Sequence, residues 1–593
     1  MSCIAWLTLL ITLAVPARET QGTARPTAEE IFVRHARAVG GKDAYDRLTT
    51  RVSKGTITIR SAGTTFTGAY EEYAKAPNKR VRVTRFSLGD GATLDASNGF
   101  NGTLGWGSEI SGSTVHVTRL RGPELALVMR NADLHSEIAL QQQYADTRLT
   151  GSRTIGGRRL QVVEGVPTEG NPETLFFDAR TGLLWRLDRQ PINDFALQPV
   201  VKTYYEDYRR VDGILMPFVV RRVTNGEELI VRLTEVRHNV PLQEATFAAP
   251  AFAPAARPAG SVDDYIRAEM TKRRIPGLAL VVVNDGQVVK MEGYGVATLE
   301  HNVPVTPDTV FELASVTKSF TAAAIMRLTE QGKVALDRRI ATYLPGSPPA
   351  WKDITVRHLL THTACLADIF HGFGSLGIQL DYATKDMFEA AAHDPMSCIP
   401  GTKYQYSDVG YFLLGMIVEN ASGQRYRDFL RDQFFGPLGM TATSVLDQWA
   451  VVKNRASGYT IHDGTTVNIR RVQQVELPSH FGIFSTVRDL AKWDQALTAG
   501  RALEASSLAA MWIPATLAHG GRWPYGFGWK LGEWEGHRTI SHGGYTGTEY
   551  TRFPDEKLTV IVLTNLGLDR GDEAVDSWGL TYEVARFYLS STP

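Results

Sequence analysis

The chain has 593 residues, of which 43% are hydrophobic and 21% are charged, and its 63 basic and 63 acidic side chains leave a formal net charge of zero. This length exceeds a single ordinary hydrophobic core and predicts roughly two or three domains, while the composition excludes a disordered or membrane-embedded chain. The even charge balance gives no reason to expect nucleic acid or an anionic membrane surface as a partner.

The first residues have the pattern of an export signal. An apolar run over residues 3–15 has the length of a signal-peptide core and is too short to span a bilayer; Pro16, Ala17 and polar residues follow it. No Lys or Arg precedes the run, so an uncleaved membrane anchor and a misassigned start are the alternatives. We predict a signal peptide over residues 1–22, a secreted or periplasmic protein, and no transmembrane span once the signal is removed.

Residues 25–247 are predicted to form a curved antiparallel β-sheet domain that carries one helix. Thr27-Ala-Glu-Glu30 has the spacing of a helix capping box, and Gly40-Gly41 ends that helix. Asp178-Ala-Arg-Thr-Gly182 and Asn225-Gly226 are turn sequences between strands. The clearest alternating segments are 52–60, 80–84 and 228–234. Charged and aromatic residues are scattered along these strands, so no active site is predicted here.

Two segments, 176–186 and 205–217, resemble bacterial periplasmic domains of the outer-membrane lipoprotein-carrier type. The resemblance covers most of residues 25–250. It implies an open, half-closed β-barrel that is wrapped on a helix and shelters an acyl chain. Its motifs are largely turns and therefore imply the fold more than an activity. A lipid bound to this domain is an open option.

Residues 248–260 form the clearest boundary, because three prolines among alanines make a semi-rigid connector. The remaining part, 261–593, is predicted to be one domain of class α+β, with an antiparallel sheet flanked by helices and an inserted helical lobe. A cleft between sheet and lobe is the natural place for a site. The predicted elements are a helix from about Val262, a hairpin over 278–291, a long and mostly helical middle, a second hairpin over 550–563 and a closing helix over roughly 572–589.

The tetrapeptide Ser-Val-Thr-Lys at residues 315–318 is the strongest candidate for chemistry. Ser315 is predicted at a helix N-terminus, and Lys318 lies one turn further on the same face. A serine hydroxyl needs a neighbouring base, and a lysine whose pKa is lowered by partial burial can share that work. The Ser315 N–H is also placed to bind an oxyanion. A chain of this length holds about one such motif by chance, usually on a solvated helix.

Two later segments support the prediction that Ser315 is a catalytic residue. Tyr406 lies in a loop before a helix, and a lysine beside it would favour the phenolate, so Tyr406 is predicted as general base and general acid. In His542-Gly-Gly-Tyr545 the glycines would allow a substrate to approach the strand edge closely. The Tyr545 N–H is then predicted to join that of Ser315 in an oxyanion hole, with His542 lining the pocket. The alternatives are a packed aromatic residue and an ordinary turn.

Two further pairs of residues carry weaker predictions. His358 and His362 have no partner set of metal ligands in the sequence and are interpreted as structural residues; no metal is predicted. Cys365 and Cys398 are the cysteines left after signal removal. An export route would allow a disulfide between them, and two buried thiols are the alternative.

Residues 261–593 resemble the serine β-lactamase and penicillin-binding-protein-like hydrolases, in the branch of class C β-lactamases, D-alanyl-D-alanine carboxypeptidases and related esterases. The resemblance implies that Ser315 is the acylated nucleophile, that Lys318 and Tyr406 exchange the proton, that His542 and Gly544 occupy the third motif, and that no cofactor is needed. The segments that carry it are Phe-Glu-Leu-Ala-Ser-Val-Thr-Lys-Ser-Phe-Thr (311–321), Ile-Thr-Val-Arg-His-Leu-Leu-Thr-His-Thr (354–363), Pro-Gly-Thr with Tyr-Ser-Asp-Val-Gly-Tyr and Leu-Leu-Gly (400–415), Pro-Leu-Gly-Met-Thr (437–441), Tyr-Gly-Phe-Gly-Trp (525–529) and His-Gly-Gly (542–544).

Two departures from this family pattern bear on the substrate. Asp408 replaces the usual asparagine, which turns an amide donor for the substrate into an acceptor and favours a charged Lys318. His542 stands where β-lactamases usually have a lysine that attracts a substrate carboxylate. Both changes argue against efficient β-lactam or D-Ala-D-Ala turnover and favour a neutral or cationic ester or amide.

The sequence therefore predicts an exported serine hydrolase that acts by acyl transfer through a Ser315 ester on an ester or amide substrate, which can be peptide-like. The alternative is a non-catalytic protein that binds cell-wall peptide or lipid on a retired hydrolase fold. Intact Ser315, Lys318 and Tyr406 argue against this alternative, and Asp408 lends it some support.

Overall fold

A computed structural model describes most of the chain. The described residues are 26–61, 64–87, 93–111, 114–190, 200–224, 227–250, 258–367, 383–447, 449–462, 464–469, 475–567 and 579–589. The predicted signal peptide, the Asn225-Gly226 turn and most of the predicted connector at 251–257 lie outside them. The boundaries at 25–247, 248–260 and 261–593 stay predictions.

A single antiparallel sheet of thirteen strands occupies the first part of the chain, in the order β6-β5-β4-β3-β2-β1-β13-β12-β11-β10-β9-β8-β7. Its strands are β1 Thr50–Ser61, β2 Thr64–Lys75, β3 Lys79–Ser87, β4 Thr93–Phe100, β5 Gly105–Ser111, β6 Thr114–Arg119, β7 Asp146–Ile155, β8 Arg158–Val166, β9 Glu173–Asp178, β10 Leu184–Arg189, β11 Val201–Val211, β12 Ile214–Thr224 and β13 Glu227–His238. The helices of this part are α1 Ala28–Ala38, α2 Gly41–Tyr45 and α3 Gly122–Ala132. The predicted antiparallel sheet is confirmed.

Helix α1 begins and packs as the sequence predicts. Thr27 and Glu30 form the capping box, and each side chain bonds the other residue's backbone N–H. Its apolar face buries Ile31 and Phe32 against Phe177 and other residues of the sheet. The tight turn at residues 178–182 joins β9 to β10, since the Asp178 N–H donates to the Leu183 carbonyl.

Charged residues that are scattered in the sequence meet in two buried clusters of this sheet. Glu72 accepts from Arg51 at 3.1 Å and from Arg82 at 2.7 Å. Glu173 accepts from Arg130 at 2.7 Å, and also from Arg189 and Tyr144. Burial acts to raise the pKa of Glu173, but the arginines outweigh it and hold that pKa at about 2. The first cluster joins the neighbouring strands β1, β2 and β3, and the second joins β9 and β10 to helix α3.

The second part of the chain is built on a seven-stranded antiparallel sheet in the order β16-β15-β14-β27-β26-β25-β24. Strands from both ends of this part are neighbours, because β14 pairs with β27. The strands are β14 Gly277–Asn284, β15 Gln287–Thr298, β16 Val303–Pro304, β24 Lys530–Trp534, β25 His537–Gly544, β26 Thr548–Phe553 and β27 Leu558–Thr564. Smaller sheets contain β17 Phe311–Glu312, β18 Ser444–Val445, β19 Tyr459–His462, β20 Thr465–Asn468, β21 Ile483–Ser485, β22 Ala515–Thr516 and β23 Arg522–Trp523.

Helices cover this sheet and build the lobe between its two halves. They are α4 Val262–Arg273, α5 Thr317–Glu330, α6 Val356–Leu360, α7 Thr384–His393, α8 Asp408–Ser422, α9 Tyr426–Leu430, α10 Val487–Thr498, α11 Ala505–Met511 and α12 Leu580–Ala585. The largest apolar core joins α5, α8 and α10 to the sheet, and Phe320 stacks on Trp493 within it, with ring centroids 4.4 Å apart. The predicted α+β class, with a sheet flanked by helices, is confirmed.

The closing helix differs from its prediction over roughly 572–589. Residues 568–578 lie outside the described residues, and Gly579 has a φ of 87°, in the left-handed region. A helix cannot run through that residue, so α12 begins only at Leu580. No helix in the described part of the chain combines the length and the apolar character needed to span a membrane.

A disulfide joins Cys365 to Cys398, whose Cα atoms are 5.2 Å apart. Of the two alternatives that the sequence left open, a disulfide and two free thiols, the structure has the disulfide. Main-chain hydrogen bonds run alongside it, from Ser397 to Cys365 and from Gly401 to Thr363. The disulfide therefore fastens the segment that leads toward Tyr406 to the residues that follow α6.

Candidate active site

Ser315 lies in a single turn of 3₁₀ helix, 314–316, which leads directly into α5. Ala314, just before it, has a φ of 46°, so the main chain is sharply turned here. Strand β21 holds this turn, since the Leu313 N–H donates to the Ile483 carbonyl and the Ile483 N–H donates to Thr317 Oγ1. Ser315 is half-buried while its neighbours are buried, so its hydroxyl stays accessible.

Lys318 lies one turn into α5 and is completely buried. Its Nζ donates to Ser315 Oγ at 3.1 Å and to the His480 carbonyl at 2.9 Å. The Asp408 carboxylate, at the first turn of α8, lies 2.6 Å from the same Nζ. The structure therefore brings together the serine and the lysine of the motif, together with the carboxylate that departs from the family pattern.

The charge state of Lys318 differs from the prediction. Burial is the largest influence and acts to lower its pKa, but Asp408 and Tyr406 outweigh burial, and the pKa of Lys318 is raised. The prediction of a lysine with a lowered pKa is therefore wrong. The prediction that Asp408 favours the charged lysine agrees with this direction.

Tyr406 is 8% exposed, and Lys318 and Ser315 both act on its hydroxyl, since each lowers the pKa of Tyr406. Lys318 Nζ also lies 4.8 Å from the centroid of its ring. Burial raises the pKa of Tyr406 by more than the nearby ammonium lowers it. The structure thus places the tyrosine where the sequence predicts it, but the prediction of a phenolate is wrong: the resting group is a phenol.

His362 supports Tyr406 from behind, a structural contact whose partner the sequence interpretation did not identify. The two rings stack with centroids 4.1 Å apart, and His362 Nδ1 accepts from the Ser407 N–H at 3.0 Å. Burial and the Lys318 charge hold the pKa of His362 well below its usual range, so the ring is neutral. A second histidine in a loop gives no signal of contact with a tyrosine 44 positions further along the chain.

His542 lies on β25 and is 2% exposed. Its Nε2 hydrogen-bonds with the Tyr525 hydroxyl at 3.0 Å, and its ring centroid lies 6.4 Å from that of Tyr406. Burial and the charge of Lys530 hold the pKa of His542 well below its usual range. The neutral ring does not supply the cation that a lysine at this position would provide.

Gly544 and Tyr545 follow on the same strand edge beside the Ser315 turn. A Cβ at Gly544 would lie 2.4 Å from the Leu313 carbonyl oxygen and 2.9 Å from Ala314 Cβ. The closely packed Ser315 turn therefore requires glycine here, whether or not a substrate is bound. The Tyr545 hydroxyl donates to Glu312 Oε1 at 2.8 Å. The role of the Tyr545 N–H in an oxyanion hole stays a prediction.

The resting site holds an ammonium, a phenol and a carboxylate around one accessible hydroxyl. Such a network can pass a proton from Ser315 through Tyr406 and Lys318 to Asp408 without creating net charge. No group of three or more His, Cys, Asp or Glu residues in the described ranges is arranged to hold a metal ion.

The fold and these residues define a serine hydrolase of the class that uses a serine, a lysine and a tyrosine. The model of the Beta-lactamase family matches residues 262–581, more than half of the chain, and the chain belongs to this family.

Two curated relatives and one solved structure illustrate the similarity. The chain is 30% identical over 308 residues to Penicillin-binding protein 4* of Bacillus subtilis (strain 168), which covers 48% of this chain and 67% of that protein. It is 30% identical over 326 residues to Penicillin-binding protein 4 of Amycolatopsis lactamdurans, which covers 50% of this chain and 83% of that protein. The D-amino acid amidase of Ochrobactrum anthropi SV3 is 25% identical with a TM-score of 0.49, over 56% of this chain and 98% of the amidase.

Proposed function

We propose that this protein is an exported serine hydrolase that forms an acyl ester on Ser315 and releases it to water. The observation that carries the proposal is the convergence of Ser315, Lys318 and Tyr406: Lys318 Nζ lies 3.1 Å from Ser315 Oγ and 4.8 Å from the centroid of the Tyr406 ring. These residues are far apart in sequence, and a nucleophile with two proton-carrying neighbours is the arrangement that acyl transfer needs.

The proposed reaction has two balanced steps. Ser315 Oγ attacks the substrate carbonyl carbon while its proton moves to Tyr406, the phenol proton moves to Lys318, and an ammonium proton moves to Asp408. The relay then returns a proton to the leaving group as the bond to it breaks. Water repeats the sequence on the serine ester, which releases the acid and regenerates the hydroxyl. Asp408 is the terminal acceptor because the lysine and the tyrosine both hold protons at rest.

The charges around Ser315 support a neutral or cationic ester or amide as substrate, which can be peptide-like. The Asp408 side chain is 29% exposed beside the site, while His542 is buried and neutral. An anionic substrate would meet a carboxylate and would find no positive charge at position 542. Both curated relatives are named for penicillin binding, so a penicillin is a necessary comparison.

Export is proposed on the apolar run over residues 3–15, with a secreted or periplasmic location. The first sheet stays a proposed lipid site on the strength of the resemblance of residues 176–186 and 205–217 to lipoprotein carriers. The second candidate function, a non-catalytic binding protein, is favoured only by Asp408 at a position that the family usually fills with asparagine.

The test is covalent labelling of the purified full chain with a fluorophosphonate probe and with a fluorescent penicillin. We expect at least one probe to label the wild type on the peptide that contains Ser315, and no labelling of Ser315→Ala. Ser319→Ala is the matched control, because Ser319 lies on the same helix and its hydroxyl donates only to the Val316 carbonyl among its described contacts. A folded wild type that neither probe labels would favour the binding protein.

Steady-state rates on p-nitrophenyl esters, D-Ala-D-Ala peptides and nitrocefin test the substrate class. We expect higher kcat/KM on the short esters than on the other two. A clear preference for nitrocefin would contradict the proposed substrate class but would remain consistent with the acyl-transfer mechanism.

A further inference from the structure

Asn171 connects the thirteen-stranded sheet to the catalytic part of the chain. It lies between β8 and β9 and is only 5% exposed. Its Oδ1 accepts from the Tyr404 N–H at 2.9 Å, and its Nδ2 donates to the Tyr404 carbonyl at 3.1 Å. Nδ2 also donates to Gln190 Oε1, at 3.2 Å, on its own side of the contact. One side-chain amide thus satisfies both main-chain groups of one residue in the other part of the chain.

Tyr404 lies two residues before Tyr406, so this contact reaches the candidate active site through the main chain. The next residues are fixed from the other side, where the Gln405 N–H donates to the His362 carbonyl at 2.7 Å and the Ser407 N–H donates to the His362 ring. The Tyr404 ring stacks on Trp523 with centroids 4.6 Å apart. Asn171 and His362 therefore hold opposite ends of the short segment that presents Tyr406.

The surroundings of Asn171 form a closely packed contact. Gly521 faces the same loop, since a Cβ there would lie 3.1 Å from the Thr168 carbonyl oxygen. Burial lowers the pKa of Lys403 despite the charge of Glu164 nearby. Arg121 and Glu533 form an ion pair between the two parts. The hydrogen bonds of Asn171 to Tyr404 are therefore not the sole contact between the two parts of the chain.

We propose that Asn171 is a positioning residue for the hydrolase: the first sheet fixes the segment 404–407 and thereby sets the place of the Tyr406 hydroxyl. This inference rests on the proposed function, because it gives Tyr406 its role in proton transfer. Without Asn171 both main-chain groups of Tyr404 lose the hydrogen bonds that Asn171 makes to them, and the segment that carries the phenol loses one of its two supports.

The kinetic test is a double-mutant cycle in the full chain on a p-nitrophenyl ester. We expect Asn171→Ala to lower kcat by about 10- to 100-fold, the effect of a small misplacement of a catalytic group, with KM changed less than about twofold. In a Tyr406→Phe background the same substitution should have no further effect on kcat, since it acts through the missing hydroxyl. Equal losses in both backgrounds would overturn the proposal.

A second measurement does not depend on catalysis. Hydrogen exchange of the peptide that covers residues 400–407 should be at least about tenfold faster in Asn171→Ala, because the Tyr404 amide loses its acceptor. Asn101→Ala is the matched control, since Asn101 accepts only from the Thr103 and Leu104 amides of its own turn among its described contacts. Unchanged exchange in Asn171→Ala would refute the positioning role, whereas a wild type without Ser315-dependent hydrolysis would refute only the proposed function.

Discussion

Lowering the pH from 7.5 to 5.5 should destabilise the catalytic part of the chain before any carboxylate cluster titrates. Three histidines around the site, His362, His480 and His542, are each at most 2% exposed. Burial depresses the pKa of all three, and it lowers that of His480 to about 3. In the unfolded chain each imidazole takes up a proton near pH 6.5, so the unfolded state binds more protons as the pH falls.

The size of the effect follows from the number of histidines. Each group contributes stability that is fully present above pH 6.5 and is lost by about 1.4 kcal/mol per pH unit below it. Three groups give a loss of about 4 kcal/mol at pH 5.5, which is a large share of the ~5–15 kcal/mol that stabilises a typical domain. The loss of stability grows as the pH falls further, until the histidines of the folded protein themselves take up protons.

The assay is urea unfolding at several pH values. Unfolding is monitored by the hydrogen-exchange protection of peptides from β14 and β27, which report on the second sheet separately from the first. We expect a limiting slope of at least about three protons per unfolding event below pH 6.5, because the pKa values of His358 and His519 are also lowered. His480→Asn should reduce that slope by about one proton, because it removes one group that titrates only when unfolded. A free energy of unfolding that stays constant from pH 7.5 to 5.5 would refute the reasoning.

Three further predictions concern single contacts. Asp408→Asn removes the carboxylate that holds Lys318 charged, so the ratio of kcat/KM on nitrocefin to that on a p-nitrophenyl ester should rise by about tenfold or more; an unchanged ratio would contradict the assigned role of the carboxylate. Gly528→Ala places a methyl 2.6 Å from the Lys318 carbonyl oxygen at a φ of 75°, so urea unfolding should show a loss of about 1–3 kcal/mol together with reduced turnover. Replacing Cys365 and Cys398 by serine removes a cross-link with a sequence separation of 33, which should lower the free energy of unfolding by about 3–4 kcal/mol in the same assay; equal stability would contradict a stabilising role of the bond.

Local sequence patterns predicted the elements that depend on neighbouring residues. The capping box at Thr27 and Glu30 forms because both partners lie within one turn. Ser315 and Lys318 meet because three residues of helix place them on one face. The closing helix was misjudged, since periodicity alone did not show that Gly579 adopts a left-handed conformation.

The charge states of the site could not be predicted from the same patterns. The pKa of Lys318 is raised because a carboxylate 90 residues away in the sequence helps to outweigh its complete burial. The pKa of Tyr406 is raised because the effect of burial exceeds that of the ammonium. The support from His362 and Asn171 was also invisible, because it consists of a ring face and main-chain groups brought together by tertiary contacts.

The close approach of Gly544 to the Ser315 turn limits how this strand edge can diverge between relatives. Any side chain at 544 would strike the carbonyl of Leu313, whereas residue 542 faces another side chain, the Tyr525 hydroxyl. If the proposed function holds, exchange at 542 should alter which substrates are accepted while the main chain around Ser315 keeps its conformation. Natural variation in substrate preference should therefore accumulate at residue 542, whereas residue 544 should remain glycine.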